Sequence, residues 1–249
     1  MSHARAALAL ALAASLAGAG VAQAAAKPKP KPVCHQVADA AGDANGKDTG
    51  AANPFPLPVG PSTSPVPFPV VNAGPSSDAL DITSADVSAD KKNLTAVIRV
   101  KKLALVDHTA APLGIRWELN FTAEEIQFTV MAHTDPTGKI NYDSSYFVPA
   151  NGIGSLYGHG STTGFFDLAR NEIHVSTPNA IFSSQATIKP GAVLSDLNVA
   201  ASDEVAVPDT TGKLNGGGAE FEGTLGHIDT AATTKPYKVG TLSCVVPGK

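Results

Sequence analysis

Apolar and polar side chains alternate most clearly over residues 94–100, LTAVIRV. One face of this segment carries the apolar side chains of Leu94, Ala96, Ile98 and Val100. A period of two predicts a half-buried β-strand. Upstream, the apolar positions of residues 80–82 and 85–87 are in opposite phase, which predicts a bulge near Thr83 and Ser84.

Further alternating segments follow at residues 115–121 and 126–132. Between them, Thr122 and Glu125 have the spacing of a helix capping box. The immediate return of alternation favours a short turn between two strands instead. The sequence Asp-Pro-Thr-Gly at 135–138 is typical of a type I turn and predicts a hairpin into residues 140–148.

In the second half of the chain, residues 164–168 and 172–176 predict another hairpin around residues 169–171. Residues 181–182 and 192–197 are interpreted as short helical or irregular pieces. Alternating segments separated by turn residues predict an all-β fold class. The length of 249 residues suits one large β domain or two small ones.

The N-terminus has the pattern of a secretory signal peptide over residues 1–26, with Arg5, an Ala/Leu-rich run and cleavage after Ala24 or Ala26. A Lys/Pro spacer at 27–33 and a β domain at 34–249 follow. Loss of Arg5 with the leader takes the net charge from −4 to −5, which argues against a nucleic-acid partner. We expect a secreted protein without a membrane span, and the oligomeric state is not predicted.

The chain has two cysteines, Cys34 and Cys244, one near each end. In an oxidising compartment an even pair predicts a disulfide, here between neighbouring terminal strands. Closing so long a loop stabilises by roughly 4 to 5 kcal/mol in the chain-entropy model. Two free thiols in a metal site are the alternative. The disulfide would also place the Pro-rich stretch at 44–78 inside one covalent ring, as a long loop of a single domain.

Short-spaced carboxylates bracket this Pro-rich loop: Asp39, Asp43, Asp48, Asp78 and Asp81. Carboxylate and carbonyl oxygens are the ligands that Ca²⁺ prefers. Aspartates beside glycine also mark turns and caps in polar loops. The sequence therefore supports two interpretations, a calcium site and a set of turns.

The order of motifs is that of a known module: Asp-Ala-Ala-Gly-Asp at 39–43, Leu-Asp-Ile at 80–82, Ala-Asp-Val at 85–87 and the strand at 94–100. It resembles the carbohydrate-binding-like β-sandwich at the C-terminal end of glucodextranases, which is similar to the DOMON and family 9 carbohydrate-binding sandwiches. The resemblance implies a single jelly-roll-like antiparallel β-sandwich, a non-catalytic binding role and structural calcium. The partner expected from it is a polysaccharide or another cell-envelope component.

Flat rings that could bind a sugar are sparse, since aromatic residues make up 6% of the chain. Trp117 lies on the apolar face of its predicted strand and is assigned to the core. The predicted ligand platform consists of the tyrosines in the Gly-rich middle of the chain: Tyr142, Tyr146 and Tyr157. No haem is expected, because Met131 and His133 share one strand face and cannot ligate opposite sides of an iron.

The chain contains no G-x-S-x-G, H-E-x-x-H or paired-carboxylate motif. The predicted function is therefore a secreted, non-catalytic binding or cell-surface β-sandwich module, with calcium as the expected cofactor. The alternative is a secreted hydrolase with a site formed by His159, Ser161 and Asp167. A pocket in which His159 or His174 meets Ser161 or Asp167 would distinguish the hydrolase.

Overall fold

The computed structural model describes residues 29–44, 76–111, 113–150, 153–159, 161–203 and 229–247, with the backbone alone for 147–150, 153–159 and 203. The predicted signal peptide, most of the Pro-rich loop and Asp48 lie outside the described residues. The fold given below is that of the compact unit Lys31–Lys249.

The described elements are strands and one short helix. In chain order they are β1 (Val37–Ala38), β2 (Ile82–Ala89), β3 (Asn93–Val100), β4 (Ile115–Ala123), β5 (Ile126–Thr134), β6 (Ile140–Ala150), β7 (Ile153–His159), β8 (Thr163–Asp167), β9 (Glu172–Pro178), α1 (Asn179–Phe182), β10 (Val193–Asp203), β11 (Asp229–Ala232) and β12 (Tyr237–Lys238). None of the described helices could cross a membrane.

Two antiparallel sheets pack face to face and form a β-sandwich, as the sequence pattern predicts. The first sheet has the strand order β1-β2-β3-β9-β8, and the second has the order β11-β10-β4-β5-β6-β7, with β12 also paired to β10. Alternate side chains of the central strands, such as β3 and β4, point into a shared core. The predicted inward face of β3, which carries Leu94, Ala96 and Ile98, is fully buried.

Trp117 is a core residue, as predicted. Its side chain is 0% exposed, and its indole Nε1–H donates to the backbone oxygen of Ala79 at 2.8 Å. This bond satisfies the polar atom of a ring that otherwise contributes apolar area. Trp117 also packs edge-to-face against Phe166, with ring centroids 5.4 Å apart. The contact joins β4 of the second sheet to β8 of the first.

The local turn chemistry agrees with most of the predicted connections. Pairing between β2 and β3 shifts between Ile82 and Ser84, which confirms the bulge. The Gly138 N–H donates to the Asp135 oxygen at 2.9 Å, closing the predicted turn between β5 and β6. The turn between β4 and β5 has two residues of positive φ, Glu124 (50°) and Glu125 (68°), so it is a hairpin turn and not a helix start.

The prediction for residues 192–197 is wrong. These residues belong mostly to β10, which runs from Val193 to Asp203 and pairs with β4. The pairing shifts register between Ser195 and Asn198, and Asp196 has a positive φ of 53°. A bulge in the strand breaks the period of two, so the sequence pattern hides the strand.

The predicted Cys34–Cys244 disulfide is present and joins the two ends of the described chain. Beside it, the Cys34 N–H donates to the Val245 oxygen at 3.0 Å, and Val33 forms a parallel bridge with Val245. We call residues 31–36 and 241–247 the terminal strap. The strap packs over the outer face of the first sheet, where Cys34, Val97 and Val246 form a small second core.

Candidate metal centre and the outer face of the first sheet

Three aspartates converge at one corner of the sandwich. Asp39, Asp43 and Asp229 each offer a carboxylate oxygen, and these atoms all lie within 4.8 Å of one another. Asp229 is 0% exposed, whereas Asp39 and Asp43 are half-buried. We call these three residues together with the neighbouring Asp81 the acidic cluster.

Separate parts of the chain supply the acidic cluster. Asp39 and Asp43 follow β1, and the turn between them contains Gly42 with a φ of 101°, a conformation that favours glycine. The Gly42 N–H donates to Asp81 Oδ2 at 2.7 Å, which fixes this turn against the residue just before β2. Asp229 opens β11, and its Oδ2 accepts the N–H of Ile82 at 2.6 Å. One oxygen of each buried carboxylate is thus used to hold the corner together.

The second oxygen of these carboxylates forms no such hydrogen bond with the described residues. Oδ1 of Asp43, Asp81 and Asp229 is buried and has no hydrogen-bond partner among the described residues. Asp81 and Asp229 are 2% and 0% exposed, so their Oδ1 atoms have lost water without gaining a donor. A buried, ionised carboxylate in this state carries a large desolvation cost unless a cation compensates it.

The pKa of Asp229 reflects the cost of burying this negative charge. Burial, followed by the nearby charges of Asp39, Asp43 and Asp81, raises the pKa of the Asp229 carboxyl to about 7, although the Ile82 N–H lowers it. Like charges at close range favour the protonated form of one member. A positive ion at the cluster would reverse this preference.

The donor set fits a hard divalent cation. All four side chains of the acidic cluster are carboxylates, and Ca²⁺ takes six to eight oxygen ligands with flexible geometry. Sulfur and imidazole ligands, which Zn²⁺ prefers, are absent from the group of converging residues. Ca²⁺ is therefore the ion that the described residues fit best.

Of the five aspartates proposed from the sequence, Asp39 and Asp43 belong to the converging group, and Asp81 lies beside it. Asp78 lies apart: its side chain is 52% exposed and pairs with Lys101 Nζ at 2.7 Å. The same ammonium lies 3.5 Å from Asp81 Oδ2, at the edge of the acidic cluster. Asp48 lies outside the described residues. Asp229 was missed, because no local motif marks it and only strand pairing brings it to residue 82.

The tyrosines proposed as a ligand platform lie mostly inside the sandwich. Tyr146 is 8% exposed and packs on Phe128, and Tyr142 packs on Phe166. Burial raises the pKa of Tyr142 to about 12. The side chain of Tyr157 lies outside the described residues. Tyr142 and Tyr146 therefore contribute to the core and do not present an exposed surface for stacking.

The outer face of the first sheet carries a second set of buried charges, which we call the Arg99 network. Arg99 pairs with Asp86 at 2.8 Å and with Glu172 at 3.0 Å. Glu172 also pairs with Arg170 at 3.0 Å, and Arg170 pairs with Asp167 at 2.8 Å. Positive and negative groups alternate along the network, so each buried charge has an opposite neighbour.

Of the proposed hydrolase residues, Asp167 and His174 are each engaged by another charged side chain. Asp167 is engaged by Arg170, and its Oδ1 accepts the N–H groups of the following turn. His174 lies 3.0 Å from Glu172 through Nε2, and burial lowers its pKa. Among the described side chains, no hydrogen bond joins Ser161 to a histidine. The side chain of His159 lies outside the described residues.

No protein-family model matches this chain. No curated protein matches it in sequence.

Proposed function

We propose that this chain is a secreted, calcium-binding β-sandwich module that acts by binding a partner and not by catalysis. The acidic cluster is the observation that carries the proposal. It combines four carboxylates with three buried Oδ1 atoms that lack hydrogen-bond donors among the described residues. The terminal disulfide supports export to an oxidising compartment.

The position of the cluster explains why calcium would matter for the fold. Asp39 and Asp43 follow β1, Asp81 precedes β2, and Asp229 opens β11. An ion bound to all of them would join the two sheets at one corner. Because the ion binds the native state and not the separated ligands of the unfolded chain, it would raise the free energy of unfolding by mass action.

Thermal unfolding of the oxidised protein in calcium and in a chelator tests this proposal. We expect a higher midpoint in calcium, because a free ion at about 100 times its Kd stabilises by about 2.7 kcal/mol. Asp81→Asn should remove most of this calcium response. Asp78→Asn is the matched control, since Asp78 is exposed and paired with Lys101, and it should keep the response.

Equal midpoints in calcium and in chelator would overturn the calcium site. A calcium response that survives in Asp81→Asn but disappears in Asp78→Asn would place the ion elsewhere. Magnesium at the same concentration is a useful second comparison. Its demand for a compact octahedral geometry should make its effect smaller than that of calcium.

The partner of the module is proposed to be a polysaccharide or another cell-envelope component. The outer face of β8 offers exposed side chains for such a partner, among them Thr163 and Phe165.

A further inference from the structure

Five exposed lysines lie along one end of the sandwich, far from the acidic cluster. We call them the lysine arc: Lys31, Lys91, Lys92, Lys189 and Lys238. Strand β2 runs from the acidic cluster to this end, and its eight residues separate the two by roughly 25 Å. Because the Debye length at physiological salt is about 8 Å, the negative charge of the acidic cluster is screened from the arc.

Hydrogen bonds place three of these lysines next to one another. The Asn179 N–H donates to the Lys92 oxygen at 2.7 Å, in the turn that also carries Lys91. The Asn179 side-chain amide donates to the oxygen of Ile188, the residue before Lys189, at 3.2 Å. The turn between β2 and β3 is thus held beside the segment that leads into β10.

The other two lysines continue the arc toward the terminal strap. The Gly191 N–H donates to the Val239 oxygen at 2.9 Å, which ties the segment that carries Lys189 to the one that carries Lys238. Lys31 Nζ donates to a backbone oxygen of the terminal strap at 3.4 Å. Four separate segments of the chain therefore contribute positive charge to one continuous surface.

The arc carries little negative charge of its own. Among the described side chains, none of its five lysines forms an ion pair. Asp90 lies between them, and its Oδ1 accepts the N–H groups of Lys92 and Asn93 at 2.7 and 2.9 Å. Five lysines and one aspartate give an excess of four positive charges. The other described acids at this end belong to a turn and a bulge of the second sheet: Glu124, Glu125 and Asp196.

Exposed valines accompany the lysines. Val193 of β10 is opposite Lys238 of β12 and is 51% exposed. Val33 follows Lys31 by two residues and forms a bridge with Val245, and the two valines are 52% and 44% exposed. Cationic and apolar side chains on one surface are the combination with which peripheral proteins bind anionic bilayers.

We propose that this end of the protein docks on the surface of an anionic lipid bilayer. The lysine arc would face the phosphate headgroups, and the three valines would reach the boundary of the acyl region. A soluble polyanion fits less well, because exposed valines gain free energy only against an apolar phase. Lys27 and Lys29, just ahead of Lys31 in the sequence, would add to the attraction. This inference goes beyond the proposed function and does not rest on the calcium site.

Sedimentation with lipid vesicles tests the proposal. The oxidised protein is mixed in chelator with vesicles of phosphatidylcholine alone, or with vesicles in which phosphatidylglycerol makes up about a third of the lipid. We expect the protein to sediment with the anionic vesicles and not with the neutral ones. Raising the salt from about 0.1 M to about 0.5 M should release it, because the attraction between exposed charges is screened.

Paired substitutions locate the binding surface. Lys92→Gln combined with Lys189→Gln should weaken binding to anionic vesicles about 25-fold, since each lysine near such a surface contributes about fivefold. Lys102→Gln combined with Lys139→Gln is the matched control, because both lysines are exposed at the opposite end and the net charge changes equally. It should leave binding unchanged. Val193→Thr should weaken binding several-fold while keeping a β-branched residue in the strand.

Several outcomes would overturn the bilayer surface. One is equal binding to neutral and anionic vesicles, and another is a loss in the control pair as large as in the arc pair. Polyphosphate binding as tight as vesicle binding, with no effect of Val193→Thr, would assign the arc to a soluble polyanion instead. If the first pair of substitutions unfolds the protein, Lys91→Gln combined with Lys238→Gln repeats the test. A calcium response without vesicle binding would overturn this surface alone, and vesicle binding without a calcium response would overturn the calcium site alone.

Discussion

The Arg99 network and the acidic cluster solve the problem of buried charge in opposite ways. In the first, Arg99 lies between Asp86 and Glu172, and each buried ion has a partner of opposite sign. In the second, four carboxylates share one corner, and Lys101 Nζ lies 3.5 Å from Asp81 Oδ2 at its edge. A folded chain keeps buried ions where they are compensated. Within the described part of the chain, the buried Oδ1 atoms of Asp81 and Asp229 thus have no counterpart to the guanidinium that Arg99 supplies to its own network.

The two sites also differ in what they would do when conditions change. All members of the Arg99 network are covalently part of the chain, so its contribution to stability does not depend on a free ion. The repulsion in the acidic cluster would be reduced by the calcium ion that we propose or by protonation of Asp229. Breaking each site in calcium and in chelator should therefore give different patterns.

The largest expected effect comes from breaking the Arg99 network. Arg99→Met leaves Asp86, which is 0% exposed, and Glu172 without their arginine. Breaking a buried ion pair by removing one partner costs about 3–5 kcal/mol. Denaturant unfolding should show this loss equally in calcium and in chelator.

Arg170→Met is the matched control for this change, because the Arg170 side chain is 49% exposed and its loss should destabilise far less. A loss in Arg99→Met below that of Arg170→Met would contradict the assignment of Arg99 as the central ion. A loss seen only in chelator would contradict the independence of the two sites.

The second effect is the pH dependence of the calcium-free protein. The pKa of Asp229 rises from 3.8 to about 7 on folding, so the folded state holds a proton that the unfolded state has released. Stability from this group is present below pH 4 and is lost as pH rises through 7. The linkage limits the loss to about 4 kcal/mol. Unfolding free energies in chelator between pH 4 and 8 measure it.

Asp229→Asn isolates this contribution, because an amide oxygen can still accept the Ile82 N–H but cannot ionise. The difference in stability between wild type and variant should grow with pH, with the variant the more stable at pH 8 in chelator. The order should reverse in calcium, which needs the carboxylate. A difference that does not change with pH would show that Asp229 is ionised throughout.

The sequence predicts the parts of this molecule that depend on neighbouring residues. The period of two in residues 94–100 predicts β3, and the phase change upstream predicts the bulge that the structure shows after Ile82. Cys34 and Cys244 could be paired because the chain has no other cysteine. The strand and the bulge are predicted from local patterns. The disulfide is predicted because two cysteines allow a single pairing.

The sequence does not predict features that depend on distant contacts. Asp229 accepts the N–H of Ile82, 147 residues away along the chain. No sequence motif near Asp229 predicts this contact. Val97 alternates as an outward residue of β3, yet it is fully buried because the terminal strap covers it. The outer face at Val97 is thus a second small core, whereas Phe165 of β8 is 50% exposed. A one-strand pattern cannot distinguish these two regions.

The smallest expected effect concerns a third buried polar cluster, which contains no charge. Thr162 Oγ1 lies 3.0 Å from Ser144 Oγ and 3.1 Å from Thr177 Oγ1, and all three side chains are buried. Thr177→Val keeps the shape and removes one hydroxyl, while Thr162 keeps its bond to Ser144. A neutral buried hydrogen bond contributes about 1 kcal/mol.

Because neither a proton nor an ion is involved, the loss of unfolding free energy in Thr177→Val should be the same at pH 5 and pH 8 and in calcium and chelator. A loss that depends on calcium would mean that this hydroxyl cluster is coupled to the acidic cluster, and the separation of the two clusters would then be wrong.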